Sequence, residues 1–149
     1  MEKHFFSKWR KALISPLTGK ILEIGVGTGK NFEYYRGDTT VEGIDISVKM
    51  LELAQKRLEH LGKNNIHIQY SSAEAISFPD KSFDYVVATF VFCSVPDPVR
   101  GLREAHRVLK DNGRLAQISI AIPELTLKKR ASLSKRMKNL HSLIYSVCL

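Results

Sequence analysis

The segment ILEIGVGTG at residues 21–29 restricts this chain more than any other, because Gly25, Gly27 and Gly29 follow a short apolar run without a break. The run predicts a strand over residues 21–25, and residues 28–35 predict a helix behind it. Three glycines between a strand and a helix let the main chain turn tightly and approach a ligand with no Cβ in the way. The first helical amides would point at the same place. The loop therefore predicts a binding site beyond the carboxyl end of the first strand.

The same order recurs downstream. Residues 41–46 predict a second strand, and Ser47 is placed to cap a helix in which Val48, Leu51, Leu58 and Leu61 repeat at helical spacing until Gly62 stops it. Residues 66–70 predict a third strand. Residues 83–92 predict a fourth, apolar enough to be buried on both faces. Asp97 as N-cap and Pro98 at the first helical position open another helix, with Val99, Leu102, His106 and Leu109 along one side and Asn112 and Gly113 as its stop. Residues 115–121 predict a fifth strand. Strands alternating with helices imply an α/β, Rossmann-like, doubly wound fold, its sheet mainly parallel with about five strands and right-handed crossovers.

Asp45 ends the second strand, where a carboxylate can accept hydrogen bonds from two vicinal ribose hydroxyls. A nicotinamide or flavin fingerprint needs a glycine where this chain has Lys30, and no Gly-Lys-Ser/Thr closes the turn as a phosphate loop would. The pattern points to an adenosine ligand without phosphate.

At 149 residues, with 44% hydrophobic and 26% charged residues, the chain has the size and composition of one folded domain. The longest nearly apolar run, residues 85–95, is well short of the roughly 20 residues a membrane-spanning helix needs. Two cysteines, Cys93 and Cys148, suit a reducing compartment, so a cytoplasmic address is expected, with Cys93 an inert buried thiol. The net charge of +8 resides at the ends: residues 1–20 carry +4, residues 21–122 carry −1 and residues 123–149 carry +5. A neutral body between basic flanks is not the pattern of a nucleic-acid groove, so no nucleic-acid partner is expected.

Three parts are expected. Residues 1–19 form an amphipathic helix, with Phe5, Phe6, Trp9 and Leu13 on one side, that packs on the domain or touches a greasy substrate or membrane surface. Residues 20–122 form the binding domain. In residues 123–149, Leu133, Met137, Leu140, Ile144 and Val147 recur at helical spacing among basic residues and predict a basic helical tail.

Four blocks in order, ILEIGVGTG, VEGIDIS, SSAEAISFPDKSFDYVVATFVF and REAHRVLKDNGRL, make residues 20–120 resemble the class I S-adenosylmethionine-dependent methyltransferases. The likeness is to the small-molecule branch that includes the ubiquinone/menaquinone and phospholipid N-methyltransferases. The resemblance implies S-adenosyl-L-methionine as cofactor, with Gly25, Gly27 and Gly29 under its methionine end, Asp45 on the ribose and Ile46 on the adenine. It implies that Glu23 supports the loop, that Ser72, Ala73 and Glu74 border the adenine edge, and that Thr89 and Phe90 face the methionine part and the incoming nucleophile. Relatives often have Asp or Asn at Ser72, a His pair at Cys93 and Ser94, and Pro-Gly-Gly at Asp111, Asn112 and Gly113. The family's last two strands, a hairpin beside strand five, are expected to be missing.

The expected activity is methyl transfer to a small-molecule or lipid-like acceptor. The alternative is a cofactor-binding module without turnover that acts through its basic tail on a partner, membrane or RNA. Such a displacement needs alignment and a dry pocket rather than a metal. His4, His60, His67, His106 and His141 have no carboxylate partner evident in the sequence, so none is assigned as a general base.

Overall fold

A computed structural model describes residues 2–119 and 144–148. In chain order the elements are α1 (Glu2–Ile14), β1 (Lys20–Ile24), a 3₁₀ turn (Phe32–Tyr34), β2 (Thr40–Asp45), α2 (Val48–Leu61), β3 (Ile66–Tyr70), β4 (Phe83–Thr89), α3 (Pro98–Val108), β5 (Leu109–Ser119) and β6 (Ile144–Cys148). One sheet holds all six strands in the order β3-β2-β1-β4-β5-β6, and every pairing is parallel. The chain runs outward from β1 to β3 and then returns to β4, so the strand order reverses between β1 and β4. In a doubly wound sheet that reversal opens a ligand crevice at the carboxyl ends.

Each face of the sheet has its own core. Ile14, Ile21, Phe32, Tyr35, Ala54, Leu58 and Val87 lie on the side of α1, the 3₁₀ turn and α2, while Leu22, Ile24, Phe83, Val86, Ala105 and Val108 lie on the side of α3. Local signals set the helix ends. The Ser47 hydroxyl accepts from the Met50 N–H at 3.3 Å, and Gly62, at φ 62°, closes α2 in the left-handed region that costs glycine least. The Asp97 carboxylate accepts from the Arg100 N–H at 3.0 Å, with Pro98 beside it. The loop before β4 is tied to α3 by Arg107, which donates to the carbonyls of Ile76 and Phe78 and to the carboxylates of Asp80 and Glu104.

Four elements differ from the sequence expectation. The helix expected over residues 28–35 is only the three-residue 3₁₀ turn, because the segment buries Phe32 and Tyr35 against the sheet and turns Asn31 inward. Those tertiary contacts outweigh the weak helix preference of Asn, Phe and Tyr. Asn112 and Gly113 do not stop α3, which ends at Val108. They lie in an irregularity inside β5, whose pairing steps from Phe83↔Leu109 to Tyr85↔Arg114. A Cβ on Gly113 would lie 3.0 Å from the Lys110 carbonyl, which explains the glycine there. Ile144–Cys148, expected in a helical tail, is instead strand β6, in register with residues 115–119. Its pairing with β5 covers an edge that would otherwise present unpaired main-chain groups. The tail positions Leu133, Met137 and Leu140 and the side chain of Phe5 lie outside the described residues. No described helix is long and apolar enough to cross a membrane.

Ile14, the last residue of α1, is fully buried, so α1 is part of the domain core rather than an appendage. Ile14→Ala is expected to lower the unfolding free energy by about 2–5 kcal/mol in urea titrations.

Candidate functional site

The glycine loop closes over the ends of β1 and β2. The N–H groups of Gly25 and Val26 donate to the Ile44 carbonyl at 2.8 and 3.1 Å, and the Gly27 N–H donates to Asp45 Oδ2 at 2.9 Å. Asp45 Oδ1 accepts from the Ser47 N–H at 2.9 Å. The carboxylate is thereby held by main chain on both sides, with two of its roughly four acceptor positions still available.

The three glycines serve different ends. A Cβ on Gly25 would lie 2.5 Å from Val91 Cγ2, and one on Gly29 would strike the Phe32 ring, so at both positions the missing side chain makes room for the protein itself. A Cβ on Gly27 would meet nothing within 4 Å. The bare backbone at Gly27 therefore borders open space beside the free lone pairs of Asp45, a cradle that a ligand with hydroxyl groups fits. Next to it stand two exposed apolar side chains, Ile46 at 60% and Tyr70 at 64% exposure, and Tyr70 pairs with Asp45 across β2 and β3.

Ser72, Ala73 and Glu74 form a turn after β3. The Ser72 hydroxyl accepts from the Glu74 N–H at 3.1 Å, Ala73 is buried in the α3-side core, and Glu74 Oε1 accepts from the Asp97 N–H at 2.7 Å. Glu74 thus clamps this turn to the start of α3.

Below the crevice lies a buried polar cluster. Glu23, 1% exposed, accepts from Asn31 Nδ2 at 2.7 Å through Oε1 and from the Tyr35 hydroxyl at 2.8 Å through Oε2. Asn31 Nδ2 also donates to Thr89 Oγ1 at 3.0 Å. From α1, Arg10 donates to Asn31 Oδ1 at 2.6 Å and to Thr89 Oγ1 at 3.1 Å, and its guanidinium lies 5.4 Å from the centre of the Phe90 ring. Phe6 meets the same ring edge-on at 5.3 Å. Phe90 itself has φ +60°, a region that a bulky residue rarely occupies, and its N–H donates to the Ile118 carbonyl at 2.7 Å. Backbone held in that way at a strand end recurs at ligand sites.

Burial pushes the Glu23 carboxyl up to about 7, while the hydrogen bonds from Tyr35 and Asn31 and the Arg10 charge pull it part of the way back. Burial lowers Arg10 from its ordinary value, with the Glu23 charge opposing the shift.

The structure brings Glu23, the glycine loop, Asp45, Ile46, Thr89 and Phe90 to one end of the sheet, with the turn of Ser72, Ala73 and Glu74 following the adjoining strand β3. Four further residues belong there that sequence reasoning missed. Arg10, Asn31 and Tyr35 reach the site only through tertiary packing, whereas Tyr70 was detectable as an aromatic at a strand end beside Asp45. Cys93 corrects an expectation: it is exposed rather than buried, because it follows the turn that leaves β4 toward solvent, and its thiol lies 3.4 Å from the Phe90 carbonyl. His60, His67 and His106 are exposed and make no contact with this cluster, whereas the side chains of His4 and His141 and Cys148 lie outside the described residues.

Three substitutions test this geometry. Gly27→Ala, at φ +53°, is expected to fold with a cost of about 1–2 kcal/mol yet to weaken binding of S-adenosylmethionine, the ligand that the sequence resemblance implies, at least tenfold in calorimetry. Gly25→Ala should damage the fold itself. Glu23→Gln should change how stability depends on pH. Below about pH 4.5 the carboxyl is protonated whether the chain is folded or unfolded; above it the unfolded chain loses the proton first, so native stability falls until pH passes about 7. The stability of the variant relative to the wild type, whatever its sign at pH 4.5, should therefore rise by something on the order of 3 kcal/mol between pH 4.5 and 8 in denaturant titrations.

The likeness to known proteins follows the same residues. A family model described as a methyltransferase domain matches residues 22–117, well over half of the chain. A phosphatidylethanolamine N-methyltransferase of Cereibacter sphaeroides is 36% identical over 102 residues, covering 68% of this chain and 50% of the relative. The ubiquinone/menaquinone biosynthesis C-methyltransferase UbiE of Geotalea uraniireducens is 34% identical over 131 residues, covering 82% and 56%. The chain spans about half the length of these curated relatives. Among solved structures, the YcgJ protein of Bacillus subtilis superposes with a TM-score of 0.69 at 25% identity, over 90% of this chain and 59% of that one. A SAM-dependent methyltransferase of Aquifex aeolicus shares the fold, with a TM-score of 0.68 at 21% identity over 90% and 76%. With the matched span running from the first strand through most of the fifth, the chain belongs to the methyltransferase-domain family of class I S-adenosylmethionine-dependent enzymes.

Proposed function

We propose that this chain moves a methyl group from S-adenosylmethionine to a small-molecule or lipid-like acceptor. The observation that carries the reading is the open space over Gly27 beside the unused acceptor positions of Asp45. When bound, S-adenosylmethionine would supply an electrophilic methyl carbon on a sulfonium: an acceptor lone pair would bond to it as the carbon–sulfur bond breaks, and the electron pair would leave on a neutral thioether that needs no acid.

The chain's own residues bind and orient. Asp45 accepts from the two ribose hydroxyls with the positions its main-chain bonds leave over. Ile46 and Tyr70 give the adenine an apolar border, and the turn of Ser72, Ala73 and Glu74 lies along its edge. Gly27 lets the backbone approach the methionine part. Arg10 is half-buried and still has donors beyond those bonded to Asn31 and Thr89, so it suits the methionine carboxylate. Glu23 acts at one remove: it fixes Asn31 and Tyr35, and through Asn31 it fixes Thr89 and Arg10. Phe6 and Phe90 wall the transfer end and exclude water from the nucleophile. A phospholipid or quinone-like acceptor is supported by the names of the two relatives, phosphatidylethanolamine and ubiquinone/menaquinone methyltransferases.

Calorimetry with S-adenosylmethionine on the wild type and on Asp45→Ala tests the shared step. The variant is expected to keep its circular dichroism and to lose affinity about a hundredfold or more, as removal of two charge-assisted hydrogen bonds implies. Equal affinity in both proteins would overturn the cofactor reading. Incubation with a methyl-labelled donor and phosphatidylethanolamine, quinol precursors or alkyl thiols should label one acceptor class. Intact binding with no label on any of them would leave a binding module.

A further inference from the structure

The Glu23 carboxylate is buried, yet it is close to the crevice. Its Oε1 accepts from Asn31 Nδ2 at 2.7 Å, and the same nitrogen donates to Thr89 Oγ1 at 3.0 Å, so Oε1 lies within about 6 Å of the hydroxyl that ends β4. With Tyr35 donating to Oε2, both oxygens accept, which is the bonding pattern of the ionised form. Among the described residues, the charged and titratable groups that face it are Arg10 of α1, Tyr35 after the 3₁₀ turn and Asp45 of β2. Its neighbours within the sheet, Gly43 and Val87, carry no charge. At 1% exposure the carboxylate is hardly screened by water, so its charge acts on other charges across a low effective dielectric.

On the cofactor reading above, the crevice holds two ligands in turn that differ by one charge. The methyl donor carries a sulfonium. Once the methyl group has left, the same sulfur is a neutral thioether, while the ammonium and carboxylate of the methionine part are unchanged. An anion buried near the transfer end therefore attracts the donor more than the product. We propose that Glu23 is a specificity-determining residue whose charge, acting across the Asn31–Thr89 bridge rather than by contact, makes the crevice favour S-adenosylmethionine over its demethylated product. The inference rests on the proposed cofactor. Linkage adds a consequence: a cation bound nearby stabilises the ionised carboxylate, so binding of the donor should expel a proton from Glu23 and binding of the product should expel less. Burial already pushes this carboxyl up to about 7, where such a release is measurable.

Calorimetry on the full chain with S-adenosylmethionine, S-adenosylhomocysteine and sinefungin, in which an ammonium-bearing carbon replaces the methylated sulfur, tests the proposal. Glu23→Gln should fold, because the amide keeps an acceptor for Asn31 and offers a donor to the Tyr35 oxygen. In this variant the preference for S-adenosylmethionine over S-adenosylhomocysteine is expected to fall about tenfold, and sinefungin should lose affinity in step with the sulfonium rather than with the thioether. A purely structural role would weaken all three alike and leave their ratios unmoved. The wild-type preference should grow several-fold between about pH 5.5 and 8, while that of the variant stays flat. A further measurement needs no variant: at about pH 6.5, wild-type titrations in buffers of different ionisation enthalpy should show roughly half a proton more released by the donor than by the product.

An unchanged preference in Glu23→Gln with all three ligands still bound would overturn the proposal. So would a pH dependence shared by variant and wild type, or equal proton release by donor and product. Failure of the cofactor reading looks different: none of the three ligands would bind the wild type, and both inferences would fall together.

Discussion

A carboxylate enclosed by protein needs partners for both oxygens, and the way Glu23 meets that need organises the whole crevice. Asn31 satisfies one oxygen and Tyr35 the other, which forces the segment after the glycine loop to fold inward instead of continuing as a helix. The inward turn carries Asn31 to Thr89 and to Arg10, linking β1, β4 and α1 through a single amide. Such a network is stabilising only when every member is bonded, and among the described side chains no buried nitrogen or oxygen lacks a partner. Its placement on β1, at the centre of the sheet, makes the loop above it rigid.

Rigidity below is matched by openness above. Gly25 and Gly29 give up their side chains to Val91 and Phe32, and so the loop is packed from beneath. Gly27 alone gives up its side chain to the crevice. The division lets one short loop be firmly seated and still offer bare backbone to a ligand, since tight packing and close approach are met by different residues. Asp45 joins the two requirements because its main-chain bonds hold the loop and its remaining lone pairs face outward.

Most of this was legible where the cause is local. Ser47 and Gly62 bound α2, Asp97 and Pro98 begin α3, and β3 occupies the expected residues, since caps and short apolar runs act within a few positions. Asp45 and the glycine loop could be read for the same reason, as a strand end and a turn. What could not be read depends on partners far away in sequence. Phe32 and Tyr35 look like helix residues until the sheet that buries them exists. Gly113 looks like a helix stop, but it serves the irregularity in β5 because Leu109 already pairs with Phe83. Residues 144–148 have a helical spacing of apolar groups, yet an unpaired strand edge makes a stronger demand on them than their spacing does. Arg10 carried no signal at all beyond its place on an amphipathic helix.

The bond from Arg10 to Thr89 spans 79 positions of chain. During synthesis on a ribosome at about 5–20 residues per second, the guanidinium emerges some 4–16 s before the hydroxyl that receives it. Throughout that interval Arg10 can meet neither Thr89 nor the Phe90 ring. The crevice is therefore completed late, because the hydroxyl that joins Asn31 and Arg10 arrives only when β4 is made.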